Sequence, residues 1–202
     1  MKRVSFFIDG FNLYHSLKQF TSDARWLDLN KLCSSFLKED EKLENVYYFT
    51  ALSWKPNKIE RHKLYIKALR TVGVKTVLGE FKQVKRHCNL CNREYEAHEE
   101  KRTDVNIAMW LFEDGMKDLY DKAVIISGDS DLIPPIEKIQ QNFPDKKIGV
   151  IIPVGRRAKQ IQQTADFSLK ISRKSLYSSL FPANIELPDG CALTAPDGWI
   201  PE

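Results

Sequence analysis

Four aspartates sit where a chain most easily does chemistry. Asp9 closes the apolar run Ser5-Phe6-Phe7-Ile8 and is followed by Gly10-Phe11-Asn12. Asp129 closes Val124-Ile125-Ile126-Ser127-Gly128, and Asp131 stands two residues on. Asp104 lies in Lys101-Arg102-Thr103-Asp104-Val105, at the start of a helix-period stretch. A lone aspartate in such a place is ordinarily a helix cap, because first-turn N–H groups favour a carboxylate. Several carboxylates brought together repel one another, and their common use is to hold a hard divalent cation such as Mg²⁺ or Mn²⁺ through oxygen. A cation so held makes water nucleophilic near neutral pH and absorbs charge on an attacked phosphate. On this reading Asp9 and Asp129 share a central ion, while Asp131 and Asp104 orient bound waters or a second ion. Asn12, one turn on from Asp9, either hydrogen-bonds a ligand water or phosphate oxygen or is an ordinary early-helix polar residue.

Other chemistries fit less well. Gly128-Asp129-Ser130 is similar to the nucleophile block of lipase-like esterases, which needs a histidine base. In such enzymes the base follows the serine, and the four histidines, His15, His62, His87 and His98, all precede Ser130. A haloacid-dehalogenase-type phosphatase wants Asp-x-Asp at the end of the first strand, where this chain has Asp9-Gly10-Phe11. His87-Cys88-x-x-Cys91, followed by His98, has half-site spacing for zinc. With one such pair in the chain, the alternatives are a Zn²⁺ site from Cys88, Cys91, His87 and His98 or a reduced pair in a polar hairpin between Phe81 and Glu100. Cys33 reads as a small buried hydrophobe and Cys191 as a tail residue. Trp54, beside Lys55 and Lys58, is the best candidate to stack on a single-stranded base; Tyr48 and Phe49 read as core. His15 and His62 fall on helical stripes as core-edge histidines.

These residues need a scaffold, and the apolar pattern supplies one. Strands are expected at Val4 to Ile8, Val46 to Thr50, Val74 to Leu78, Ala123 to Ser127, Lys147 to Ile152 and Phe167 to Ile171. Several are apolar at successive positions, which indicates strands covered on both faces. Helical stripes alternate with them: Leu13, Leu17 and Phe20; Ile59, His62, Ile66 and Leu69; Val105, Ala108, Met109 and Phe112; Leu132, Ile136, Ile139 and Phe143. Thr103 is a plausible N-cap, and Pro56, Pro134 and Pro135 fall where a first turn tolerates a missing N–H. Strand alternating with helix means a parallel α/β sheet with right-handed crossovers. Ligands in such a sheet bind beyond the carboxyl ends of the strands, where strand order reverses, and Asp9 and Asp129 are expected on adjacent strands there.

Composition agrees and narrows the partners. At 202 residues, with 43% hydrophobic and 29% charged, the chain is neither a membrane protein nor a disordered one. No apolar run approaches the ~18 residues of a membrane span, the N-terminus lacks a secretory cleavage site, and four scattered cysteines suit a reducing compartment. The expected location is the cytoplasm. Net charge is +4, but unevenly placed. Lys55 to Arg70 carries six lysines or arginines against Glu60 alone, and Arg156 to Lys174 six against Asp166 alone, each net +5. Glu100 to Asp131 carries eight acids against four bases, net −4. Acid at the centre and base on the flanks suits a metal site bordered by phosphate-binding surface, with Arg156 and Arg157 at a strand end; the alternative for either basic run is a solvated helix face.

Taken together, Phe7-Ile8-Asp9-Gly10-Phe11-Asn12, Lys101-Arg102-Thr103-Asp104-Val105 and Ser127-Gly128-Asp129-Ser130-Asp131-Leu132 resemble the NYN domain, a branch of the PIN-like nuclease superfamily. The resemblance covers roughly residues 1 to 175. It implies a three-layer α/β/α fold with a mostly parallel central sheet and metal-dependent hydrolysis of RNA, with a ribonuclease of the endonucleolytic kind as the first expectation. Carried over by position, Asp9, Asp104, Asp129 and Asp131 match the acidic metal-binding set and Asn12 the polar residue after the first aspartate. The expected organisation is a nuclease domain over 1–180, with the Cys-x-x-Cys insertion near 81–100, and an irregular Pro-rich tail over 181–202. The expected partner is RNA, single-stranded, bound through Trp54, Lys55, Lys58, Arg156 and Arg157. A non-catalytic RNA-binding or adaptor module of the same fold is the alternative; it predicts gaps among the acidic positions, and there are none.

Overall fold

The computed structural model describes residues 1–201. The chain opens with β1 (Lys2–Asp9), α1 (Gly10–Phe20), α2 (Leu29–Ser34), β2 (Glu41–Thr50), α3 (Pro56–Thr71) and β3 (Lys75–Leu78). A hairpin of β4 (Glu80–His87) and β5 (Glu94–Lys101) follows, then α4 (Thr103–Met116) and β6 (Lys122–Ile126). The remainder is α5 (Ile133–Asn142), β7 (Lys147–Ile152), α6 (Lys159–Thr164), β8 (Phe167–Lys170), α7 (Arg173–Ser178), β9 (Asn184–Glu186) and β10 (Ala192–Thr194).

The central sheet has the order β3-β2-β1-β6-β7-β8, and every pairing in it is parallel. Residues alternate between its faces. Val4, Phe6 and Ile8 of β1 join α1, α2 and α3 residues in one core, and Phe7 joins Ile107 and Leu111 of α4 and Ile136 and Ile139 of α5 in the other. Both faces are therefore covered, which is why the strands read as continuous apolar runs. The result is the three-layer α/β/α arrangement. Among the described residues no helix is long and apolar enough to cross a membrane.

The chain runs outward from β1 through β2 to β3, then returns to β6 on the other side of β1. Strand order thus reverses between β1 and β6, whose register pairs Ile8 with Ile126. Whatever follows Ile8 and Ile126 lies side by side at the carboxyl edge of the sheet. One glycine is required by packing in this sheet: a Cβ on Gly149 of β7 would lie 1.9 Å from the Phe167 ring of β8.

Two elements differ from the pattern read in the sequence. In α4, Val105 and Met109 are 64% and 62% exposed, and the buried positions include Ile107, Leu111 and Asp114. This helix carries two apolar stripes. The one in phase with Asp104, at spacings of three and four, packs on the sheet through Ile107 and Leu111 in the core with Phe7 and Ile125. Over its described residues, 181–201, the tail is less irregular than its prolines suggest. Strands β9 and β10 pair antiparallel, and Phe181, Leu193 and Trp199 are buried. Trp199 packs 5.9 Å from Tyr65 and 6.4 Å from Trp26, while its carbonyl accepts from the backbone N–H groups of Arg25 and Trp26. Apolar side chains at these three positions outweigh the helix- and strand-breaking prolines between them.

Candidate metal centre

Asp9 ends β1 and caps α1. Its Oδ1 accepts from the N–H groups of Phe11 (3.1 Å) and Asn12 (2.9 Å), and its Oδ2 accepts from the Ser127 hydroxyl (2.8 Å). A carboxylate has about four lone-pair sites, so protein donors occupy three and one is left for a further partner. The turn that allows this is tight, since a Cβ on Gly10 would sit 2.6 Å from the Phe49 carbonyl oxygen and from the Tyr48 ring. Burial pushes the Asp9 carboxyl above its ordinary range; the Asn12, Ser127 and Phe11 donors oppose this, and the Asp129 charge adds to it.

Ser127, fully buried at the end of β6, ties the two strand ends together. Its hydroxyl donates to Asp9 and its Oγ accepts from the Asp129 N–H at 3.0 Å. Asn12 adds a second tie, its Oδ1 accepting from the Gly128 N–H at 3.1 Å. The Asn12 side-chain oxygen is therefore spent on holding the Gly128 loop against α1. Ser127 reads in the sequence as the last residue of a strand, with no role in the centre, and only the pairing of β1 with β6 reveals its partner.

Asp129 caps the 3-10 turn Ser130–Leu132, its Oδ1 accepting from the Asp131 N–H at 3.0 Å. That turn leaves Asp131 exposed, outside the group that closes on itself. Asp104 arrives from the opposite layer. The chain reverses from β5 into α4 at Arg102, which adopts a left-handed conformation (φ 78°), and the Glu100 carboxylate accepts from the Thr103 N–H at 3.2 Å. This places Asp104, half-buried, in the first turn of α4. Burial first, then the charges of Asp9, Asp129, Glu100 and Asp131, raise its carboxyl to about 6.

Carboxylate oxygens of Asp9, Asp104 and Asp129 lie within 4.8 Å of one another. Oxygens on opposite sides of a Mg²⁺ ion at about 2.1 Å each are about 4.2 Å apart, so the spacing fits one small divalent ion with slight closure. The donor set is all oxygen and all anionic, and burial first, with the neighbouring carboxylate charges adding to it, raises two of the three carboxyls. Both features favour a hard cation. Among the described residues no other group of three or more acids, histidines or cysteines comes together in this way.

Arg156 follows β7 on the same edge. Its Cβ lies 3.9 Å from where a Cβ on Gly128 would be, and its Nε is buried without a hydrogen-bond partner. Arg157 beside it is exposed. Trp54, 44% exposed, stacks on His98 with centroids 4.1 Å apart and planes 4° apart, and Lys55 Nζ is 5.8 Å from its ring. Lys58 lines the same cleft as Trp54.

The four residues suggested for zinc do not gather. The hairpin register pairs His87 with Glu94 and Gln83 with His98, so His98 is four pairs, about 13 Å, from the tip that holds Cys88 and Cys91. Its ring is engaged with Trp54 instead. Cys88 and Cys91 remain as reduced neighbours; N–H groups of Cys91 and Leu90, then the Cys91 thiol, lower the Cys88 thiol.

The model of the NYN domain matches residues 3–171. A curated protein, 6-hydroxy-3-succinoylpyridine 3-monooxygenase HspA of Pseudomonas putida (strain DSM 28022 / S16), is 26% identical across 75% of this chain and 59% of its own length. The chain thus spans less than two thirds of that relative. A solved protein of unknown function from Vibrio parahaemolyticus RIMD 2210633 superposes with a TM-score of 0.62 at 18% identity, over 85% of this chain and 94% of that one, a likeness of fold.

Proposed function

This chain belongs to the NYN domain family, whose members are generally nuclease-like, and from that premise we propose that it hydrolyses RNA phosphodiester bonds with Mg²⁺ or Mn²⁺ held by Asp9, Asp104 and Asp129. The observation that carries the reading is the convergence of three carboxylates from β1, α4 and the β6 loop, with oxygens within 4.8 Å, at the strand-order reversal. A divalent ion bound there supplies a nucleophilic water near neutral pH and charge neutralisation at the phosphate. The chain's own residues do the rest. Ser127 and Asn12 keep the Asp9 and Asp129 loops in register. Asp104 holds a proton up to a pH of about 6 in the ion-free protein and releases it on loading. Arg156, beside the Gly128 loop, and exposed Arg157 bring guanidinium charge to the same sheet edge, where a phosphate of the strand would meet it. Single-stranded RNA in the cytoplasm, cut internally to leave 3′-hydroxyl and 5′-phosphate ends, is the proposed substrate and outcome. Asp131, exposed beside the centre, is assigned to outer waters rather than to the ion.

The test is hydrolysis of end-labelled single-stranded RNA with Mg²⁺ or Mn²⁺, with EDTA, and with Asp129→Asn. The variant keeps the shape and removes one ligand charge, so turnover should fall on the order of 100-fold or more, about 2.7 kcal/mol of transition-state stabilisation, with an unchanged circular dichroism spectrum. Full activity in EDTA or in the variant refutes the mechanism. RNA binding without cleavage under all metal conditions favours the adaptor alternative. A second reading rests on the relative named for oxygenating a pyridine and on an aromatic-lined cavity beginning at Gly10. It predicts turnover of a hydroxypyridine with oxygen and a reductant, and intact RNA.

A further inference from the structure

A cavity of about 210 Å³ opens one residue from Asp9, between α1, the end of β2, the start of α3 and the edge of β4. Its walls are aromatic and mutually braced. Phe11 lies 5.6 Å from Phe81, Phe81 meets Trp54 edge-on at 5.1 Å, and Trp54 is held parallel to His98. Tyr48 closes the wall shared with Gly10. A dry apolar cavity of about 150 Å³ accepts benzene, so this one has room for a six-membered ring with its substituents.

Its charge is one-sided. Lys18, Arg25, Lys58 and Arg61 line it, and no aspartate or glutamate does. None of these four cations forms an ion pair among the described residues. The basic run Lys55 to Arg70 is thus partly turned into the cavity. In its interior His62 Nε2 lies 3.2 Å from the Thr50 hydroxyl and burial lowers the His62 imidazole, while at the exposed mouth the His15 imidazole is lowered by burial and then by Arg156, Lys18 and Lys58. Neutral rings each carry one donor and one acceptor, suited to the edge of a base. Aromatic faces, neutral hydrogen-bonding groups and a cationic rim together select a planar nitrogen heterocycle carrying a phosphate.

We propose that this cavity is a base-binding subsite, holding one nucleobase of the substrate strand against Trp54 with the adjoining phosphate between Lys58, Arg61 and the metal centre. The inference rests on the RNA reading and adds to it a fixed position for one base beside the cut. His98 matters here as a brace, since a ring already held parallel loses little freedom when a base stacks on it.

The test separates the two claims by measuring binding without catalysis. The full chain in EDTA is titrated with UMP, AMP, ribose 5-phosphate and neutral 2-hydroxypyridine, by calorimetry. The nucleotides should bind at least about tenfold more tightly than ribose 5-phosphate or hydroxypyridine. Trp54→Ala should weaken nucleotide binding by about 5- to 150-fold, the range for loss of one base–aromatic stack. Trp54→Phe should restore most of it, which a folding defect would not allow. Arg61→Glu should weaken nucleotides and leave hydroxypyridine unchanged. With Mn²⁺ and RNA, Trp54→Ala should raise KM and scatter the cut positions while kcat holds. Nucleotide affinity indifferent to Trp54→Ala overturns the subsite, as does ribose 5-phosphate or free hydroxypyridine binding as tightly as UMP. RNA cut identically with and without Trp54 overturns the subsite and leaves the nuclease; Trp54-dependent UMP binding with RNA left intact overturns the nuclease and leaves a nucleotide pocket.

Discussion

Replacing Asp104 by asparagine should make the ion-free protein more stable while removing its response to a divalent cation. Its carboxyl is lifted from 3.8 to about 6 by burial and then by Asp9, Asp129, Glu100 and Asp131. Two pKa units correspond to about 3 kcal/mol, and because the group is half open to water, screening reduces this to about 1–2 kcal/mol. An acid with a higher pKa in the folded than in the unfolded state binds more protons when folded. Its ionisation therefore costs stability as pH rises through the window from 3.8 to about 6 and costs the full amount above it. Asparagine is neutral throughout. The stability difference between variant and wild type should be near zero at pH 4 and reach about 1–2 kcal/mol at pH 7.5, a rise in Tm of about 2–8 °C for a chain of this length. Thermal unfolding followed by circular dichroism in EDTA at pH 4, 5.5 and 7.5 reads it directly. The difference between the two proteins reports Asp104 together with its coupling to Asp9, whose carboxyl is raised as well. Adding Mn²⁺ to about 100 times its Kd should stabilise the wild type by about 2.7 kcal/mol and the variant far less. A variant less stable than wild type by the same amount at pH 4 and pH 7.5 would mean that Asp104 is held by favourable contacts, and the argument from crowded carboxylates would fail.

Two further outcomes test the flanks and the frame. Reversing Arg156 and Arg157 to glutamate should weaken RNA binding by Asp129→Asn protein across sequences and flatten its salt dependence, since each neutralised phosphate of a single strand contributes about 0.7 to the slope; an unchanged slope at several salt concentrations would confine the RNA path to Lys55 to Arg70. Gly149→Ala should cost about 1–3 kcal/mol in chemical denaturation, because its Cβ would lie 1.9 Å from the Phe167 ring; a cost under 0.5 kcal/mol would show that β8 yields freely.

Much of this centre was legible in the chain because each aspartate sits at a change of hydrophobic period. The runs ending at Ile8 and Ile126 are buried on both faces, so their length and abrupt stop at Asp9 and Ser127 mark the sheet edge. What stayed hidden depends on contacts between distant segments. Ser127 reads as no more than a strand end until β1 and β6 pair. Asp131 is chemically the twin of Asp129, and only the 3-10 turn sends one inward and the other into solvent. His98 sits seven residues from Cys91, yet an antiparallel register carries it away from the hairpin tip toward Trp54. In α4, two apolar stripes lie at neighbouring phases, and the core takes Ile107 and Leu111 rather than Val105 and Met109.

The pairing of β1 with β6 also fixes when the centre can exist. Asp9 and Ser127 are 118 residues apart in sequence, and the chain between them is spent on one wing of the sheet, the hairpin and α4. On a ribosome extending the chain at about 5–20 residues per second, Asp9 waits on the order of ten seconds for its neighbours. In that interval β1 and β2 can pair and α1 can be capped, but Asp9 faces neither Asp104 nor Asp129. A pairing this far apart is also slow to close, because loop entropy must be met before any contact rewards it. Assembly of the carboxylate centre is therefore tied to the late pairing of β1 with β6 and is complete in neither strand alone.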